Sequence, residues 1–325
     1  MTRPVQFLRS LGIVLVALFP SFSAHAQDTY PSRPIMFVVP FGAGTTSDII
    51  ARSLADVMSK DLGQPVVVAN KPGAGGAIGA EFVANAKPDG YTLVLGTIAS
   101  NGISTLMMAK VNYDPVKSFS PIMLIANAQN LLVVNSAVPV STPAEFIAYA
   151  KQKGRLDFTS AGVGTTSELA GELIRMQLGV PLTHVPYRSG AAALTDVIAG
   201  VVPAMIWQVA PLQPQIQAGN VKPIAALSAT RIASVPAVPT LAETLLPGFD
   251  SNAWFGVLGP ANVPAPIIAR LQTVLVTAMN SDTIKKRFRS LDLEPVSVGP
   301  DEFRVLITRD LEKWRKVLQA VQPQK

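Results

Sequence analysis

Apolar positions recur along the chain in two rhythms, and the change from one to the other marks the elements. Ile35 to Phe41 is a near-continuous apolar run of strand length, after which Ile50, Leu54, Val57, Met58 and Leu62 recur at the spacing of a helix face. Pro65 to Asn70 reads as a second strand. Pro72-Gly73-Ala74-Gly75-Gly76 follows, then a short helix to Lys87, a Pro88-Asp89-Gly90 turn and the strand Tyr91 to Thr97. The runs Pro121 to Ala126 and Leu131 to Asn135 lead into Thr142-Pro143-Ala144-Glu145, a helix start with a capping hydroxyl, a proline at the first helical position and an acid two residues later.

A second set repeats the rhythm. The strand Leu156 to Ser160 precedes a helix to Leu178, then come the strand Thr183 to Tyr187, a helix from Ala191 to Ala199 and the strand Val202 to Val209. A short helix ending at Gly219 and the strand Val221 to Leu227 complete it. The spacing predicts helices from Pro266 to about Asn280 and from about Asp301 to Val321, the last burying Phe303, Leu306, Ile307, Leu311 and Trp314. Strands alternating with helices predict an α/β fold of doubly wound sheets, with ligands bound beyond the carboxyl ends of the strands. Two such lobes with a cleft between them is the simplest architecture.

One motif occurs in both sets. Gly42-Ala43-Gly44-Thr45-Thr46-Ser47-Asp48 returns as Gly162-Val163-Gly164-Thr165-Thr166-Ser167-Glu168, each copy between a predicted strand and a predicted helix. Glycines let backbone approach a ligand, and the first N–H groups of a helix lack partners and favour negative charge. Two such turns predict a pincer on one anion. Thr45 with Asp48 and Thr165 with Glu168 also fit a capping box, so both acids have two readings, cap or ligand contact. The binding expectation therefore rests on the glycine amides and the remaining hydroxyls.

Composition narrows the classes. The 325 residues are 49% hydrophobic and 15% charged, enough to bury one or two cores. Arg3 and Arg9, the apolar segment Leu11 to Phe19 and Ala24-His25-Ala26 have the order of a secretory signal over residues 1–26, with a mature start near Gln27 and a periplasmic location. Removing that segment takes away two arginines and no acid, leaving 25 basic against 21 acidic residues, net +4. That bias suits a small anion, and the scattered charges lack the basic stripe of a nucleic-acid binder. With no cysteine, disulfides, thiolate chemistry and Cys-ligated metal are excluded. His25 lies in the signal, and His184 reads as a structural histidine in a strand. No Gly-x-Ser-x-Gly elbow, His-Glu-x-x-His or Walker A pattern occurs. Gly42-x-Gly44 lacks the third glycine of a dinucleotide fingerprint, because Ser47 stands there, and Asn70 replaces its acid. No cofactor is expected.

The order of motifs resembles the Bug family of periplasmic solute-binding proteins, the TctC-like receptors of tripartite tricarboxylate transporters. The matching stretches are Tyr30-Pro31-Ser32-Arg33-Pro34-Ile35, Val39-Pro40-Phe41, Gly63-Gln64-Pro65-Val66-Val67-Val68 with the following Pro72-Gly73-Ala74-Gly75-Gly76, Pro88-Asp89-Gly90-Tyr91-Thr92-Leu93, Tyr113-Asp114-Pro115, His184-Val185-Pro186-Tyr187, Val238-Pro239-Thr240 and Lys313-Trp314. They span nearly the whole mature chain. The resemblance implies a monomeric Venus flytrap that delivers a carboxylated metabolite to a membrane permease, or presents it to a sensor kinase. One carboxylate would be held, partly through water, by Phe41 to Asp48 and by Ser160 to Glu168. The lobes are expected at 27–126 plus 229–325 and at 127–228. Ligand discrimination is expected from Thr97, Asn101, Tyr187, Arg188, Asp196 and the Trp207 region. Thr45 stands where the family usually has glycine, and Glu168 where it commonly has histidine or a neutral polar residue. Glu168 facing the cleft would repel a dianion; as a cap it would not. The competing class is a secreted hydrolase with Asp48, Glu168 or Asp196 as general base.

Overall fold

The computed structural model describes residues 30–108, 110–187 and 189–321; the expected signal at 1–26, the mature start at Gln27 and Arg188 lie outside them. Among the described residues, eleven strands and eleven α-helices follow in chain order: β1 (Ile35–Val39), α1 (Thr46–Leu62), β2 (Val66–Asn70), α2 (Ala77–Ala84), β3 (Thr92–Thr97), α3 (Ser104–Met107), β4 (Phe119–Ala128), β5 (Asn130–Asn135), α4 (Pro143–Lys153), β6 (Leu156–Thr159), α5 (Thr166–Leu178), β7 (Leu182–His184), α6 (Gly190–Ile198), β8 (Ala204–Gln208), α7 (Val209–Gln217), β9 (Val221–Ala226), α8 (Leu241–Thr244), β10 (Ala253–Pro260), α9 (Ala265–Asn280), α10 (Asp282–Ser290), β11 (Leu293–Val298) and α11 (Pro300–Val321).

The strands form two sheets, ordered β11-β4-β10-β3-β1-β2 and β7-β6-β8-β5-β9. Neither is parallel throughout. β2, β1 and β3 run parallel, as do β7, β6 and β8, but β10 lies antiparallel between β3 and β4, and β5 antiparallel between β8 and β9. Local periodicity marks a strand without naming its partner, so these antiparallel insertions were not legible. α10 and β11 were also missed: α10 carries only two buried side chains, Ile284 and Phe288, and β11 is mostly exposed.

Burial follows the two rhythms. Ile35, Phe37 and Val39 face a core shared with Ile50, Leu54 and Met58 of α1 and Leu271 and Leu275 of α9, while Val38 joins the core on the opposite face. That second core takes Trp254 of β10 and Phe303, Ile307, Leu311 and Trp314 of α11. Burial on both faces accounts for the unbroken apolar run of β1. α1 and α5 stop at Gly63 and Gly179, both left-handed. Among the described residues, no helix is long and apolar enough to cross a membrane, and no three His, Asp or Glu side chains form a metal-binding group.

Candidate functional site

The two copies of the repeat leave the carboxyl ends of β1 and β6. Each of these strands has its neighbours on opposite sides, β2 and β3 or β7 and β8, so a crevice opens at its end. The copies are built alike. Gly44 and Gly164 have φ of 78° and 79°, a conformation that disfavours a side chain. The Thr45 and Thr165 hydroxyls donate to the carbonyls of Gly42 and Gly162 at 2.8 and 2.7 Å, and each accepts the N–H of the acid three residues on at 3.4 Å. The acids reach back: Gly44 N–H donates to Asp48 at 2.9 Å and Gly164 N–H to Glu168 at 2.6 Å.

This geometry revises which donors are available. Gly44, Gly164 and both N-cap threonine hydroxyls are used inside the turns, and Gly162 N–H donates to the Ser160 hydroxyl at 3.1 Å. The Thr45 hydroxyl, at a position where the family usually has glycine, is thus spent inside its own turn. The amides of Thr46, Ser47, Thr166 and Ser167, at the helix starts, have no acceptor among the described residues.

Each acid has further partners. Arg52 grips Asp48 with Nε to Oδ2 and a terminal nitrogen to Oδ1, both at 3.0 Å. Asn70, the last residue of β2, donates to Asp48 Oδ1 at 2.9 Å and to the Phe41 carbonyl at 3.1 Å. Burial opposes ionisation of Asp48, but Arg52, the Gly44 N–H and Asn70 together hold its carboxyl below the ordinary range. Glu168 Oε1 lies 3.2 Å from Nδ1 of His184, whose Nε2 is 2.9 Å from the Ser160 hydroxyl. His184 is thus bonded at both nitrogens, as a structural histidine would be.

Each turn lies against a residue of the other lobe. The Thr46 hydroxyl donates to Gln208 Oε1 at 3.3 Å, at the end of β8, the neighbour of β6. A Cβ on Gly164 would stand 3.7 Å from Met107 Sδ in α3. Ala43 at the tip of turn one is exposed, and Phe41 is half-buried.

The residues expected to discriminate ligands divide. Tyr187 donates to Asp196, and this bond, helped by burial, pushes its phenol above the ordinary value. Trp207 lies over Gly190, where a Cβ would come within 2.5 Å of its ring, and Tyr187 and Trp207 pack against the same apolar core. Thr97 is bound to Ser100 in a turn after β3. Asn101 is fully buried, accepts the Ser100 hydroxyl at 2.7 Å and lies over Gly96 of the sheet. Sequence reasoning missed Arg52, although its i, i+4 spacing from Asp48 was a signal. It also missed Gln208, beside Trp207, and Met107, which carries none.

The family model described as "tripartite tricarboxylate transporter family receptor" (TctC) matches residues 50–322. The chain belongs to the TctC family. Protein BugT of Bordetella pertussis is 33% identical over 295 residues, 90% of each chain. The "UPF0065 protein in the TAR-I ttuE-ttuC' intergenic region" of Agrobacterium vitis is 38% identical over 292 residues, 89% of this chain and 84% of that one. Among solved structures, "R. palustris Rpa4515 with adipate" superposes with a TM-score of 0.81 at 33% identity, over 89% of this chain and 97% of that one. MatC of Rhodopseudomonas palustris with bound malate gives 0.78 at 32%, over 89% and 99%. The resemblance read from the motifs is borne out: this TctC-family chain has the two-lobed fold of periplasmic binding proteins, and its family is one of receptors.

Proposed function

We propose that this chain is a periplasmic receptor that closes its two lobes on a small carboxylate and delivers it to a membrane permease of the tripartite tricarboxylate type. The observation that carries the reading is the pair of like-built turns, each leaving two helix-start amides unpartnered, with Thr46 of one bonded to Gln208 beside the other. Adipate and malate, held by two structural neighbours, are both small carboxylates.

Asp48 and Glu168 do not oppose this reading, because each carboxylate is turned into its own turn by a glycine N–H and faces a basic or imidazole partner. The same contacts weaken the hydrolase alternative. Asp48, Glu168 and Asp196 are all engaged, so none stands as an unengaged base. A helix end contributes up to about 2 kcal/mol to a buried charge, and a micromolar complex needs about 8 kcal/mol. Direct hydrogen bonds and water exclusion on closure supply the rest.

The test is a thermal-shift and calorimetric panel of mono-, di- and tricarboxylates, aromatic acids and amino acids on the protein from Gln27 onward. One carboxylate class is expected to stabilise the protein and be recovered unchanged. A Gly162→Val, Thr165→Ala double variant is expected to lose that stabilisation; unaltered affinity in it would sink the two-turn clamp, and chemical conversion of a compound would favour the hydrolase.

A further inference from the structure

The chain crosses between its sheets at two places that are bonded to each other. Gln129 alone separates β4 from β5, and the segment between β9 and β10 makes the return crossing. Leu227 N–H donates to the Asn130 carbonyl, and Ser251 N–H to the Leu227 carbonyl, both at 2.9 Å. The Asn130 side chain closes the ring, its Nδ2 donating to the Ser251 carbonyl at 2.8 Å. The same Nδ2 donates to the Thr166 hydroxyl at 3.3 Å. Thr166 is the first residue of α5 and carries one of the unpartnered amides of turn two. Asn130 and Ser251 are fully buried and Thr166 nearly so.

Packing alone does not explain an asparagine here. Its Oδ1 is buried with no partner among the described residues, a cost that an apolar side chain would avoid. The amide NH₂ can be replaced by no apolar group, because its two hydrogens serve two acceptors on different elements. Asn130 is thus bonded both to the returning crossing and to the start of α5.

We propose that Asn130 is a positioning residue that couples the hinge to the lobe-two turn, so that the angle between the lobes and the orientation of the Thr166 amide change together. The bond to Ser251 holds the asparagine in the hinge, while the longer bond to Thr166 carries hinge rotation to the start of α5.

The absence of cysteine makes the test direct. Lys60→Cys in α1 and Gln152→Cys in α4, both exposed, take spin labels for inter-lobe distance measurement by pulsed EPR. The measurement uses ligand-free protein, so a failure of the carboxylate reading leaves it intact. Asn130→Ala and Thr166→Val are each expected to broaden the distance distribution and shift it to longer distances. The double variant is expected to go no further than either alone, and Thr166→Ser, which keeps the hydroxyl, to restore the wild-type distribution. Unchanged distributions in the folded single variants, additive effects in the double variant, or failure of Thr166→Ser to restore the wild-type distribution would overturn the coupling. Should Asn130→Ala fail to fold, Thr166→Val decides alone: a wild-type distribution in it overturns the proposal.

Discussion

Glu168 Oε1 lies 3.2 Å from Nδ1 of His184, while the other oxygen of the same carboxylate accepts the Gly164 N–H at 2.6 Å. A carboxylate accepts only, so Nδ1 carries the proton and Nε2 is left to face the Ser160 hydroxyl at 2.9 Å. One acid thereby fixes a histidine tautomer and closes the turn.

Glu168→Ala removes both bonds and leaves Gly164 N–H and His184 without an acceptor. The expected loss is about 1–3 kcal/mol, the range for orphaning a buried polar group. Glu168→Gln keeps an acceptor for Gly164 and is expected to lose less. Thermal unfolding of the two variants checks the order; equal losses would mean that the backbone bond contributes nothing.

The two turns predict matched glycine effects. Nothing lies within 4 Å of a Cβ at Gly44, and only Met107 Sδ, at an ordinary 3.7 Å, lies near one at Gly164. Backbone strain alone is then at issue, and Gly44→Ala and Gly164→Ala are each expected to lose about 1–2 kcal/mol. Denaturant midpoints measure both, and a much larger loss at Gly164 would show that the copies are not equivalent.

The Thr46 to Gln208 bond spans the lobes. Thr46→Val should weaken the closed form by about 1 kcal/mol, roughly fivefold in affinity. Most of the change is expected in the dissociation rate, measured by stopped flow with the carboxylate that the panel shows to bind. A change confined to association would place the bond outside the closure step.

Two buried aspartates give opposite pH dependences. Asp48 is held below the ordinary carboxyl range, so its contribution is complete above about pH 4 and is lost as pH falls through its lower folded value. Asp310 is pushed up by burial, against the pull of Lys313, Arg309 and the Trp254 N–H. Its contribution is present below about pH 4 and is lost as pH rises through its folded value. Asp48→Asn is therefore expected to flatten the acid limb of stability, and Asp310→Asn to raise stability at neutral pH while still accepting from the Trp254 indole. Urea midpoints from about pH 3 to 8 test the two signs.

By itself the sequence determined most of the local structure. Strand and helix periods, the Thr45 and Thr165 caps and the left-handed glycines act over a few residues, so the duplicated turn and the helices that follow it were legible before any packing was known. Only the tertiary structure decided which donors the turns leave unpartnered, where β5 and β10 insert, and that Asn101 lies over the sheet. Those outcomes depend on partners far apart in the chain: Asn70 is 22 residues from Asp48, and Gln208 is 162 from Thr46. A hydrogen bond between residues so distant leaves no periodic trace, because it is set by how the sheets pair and how the lobes meet.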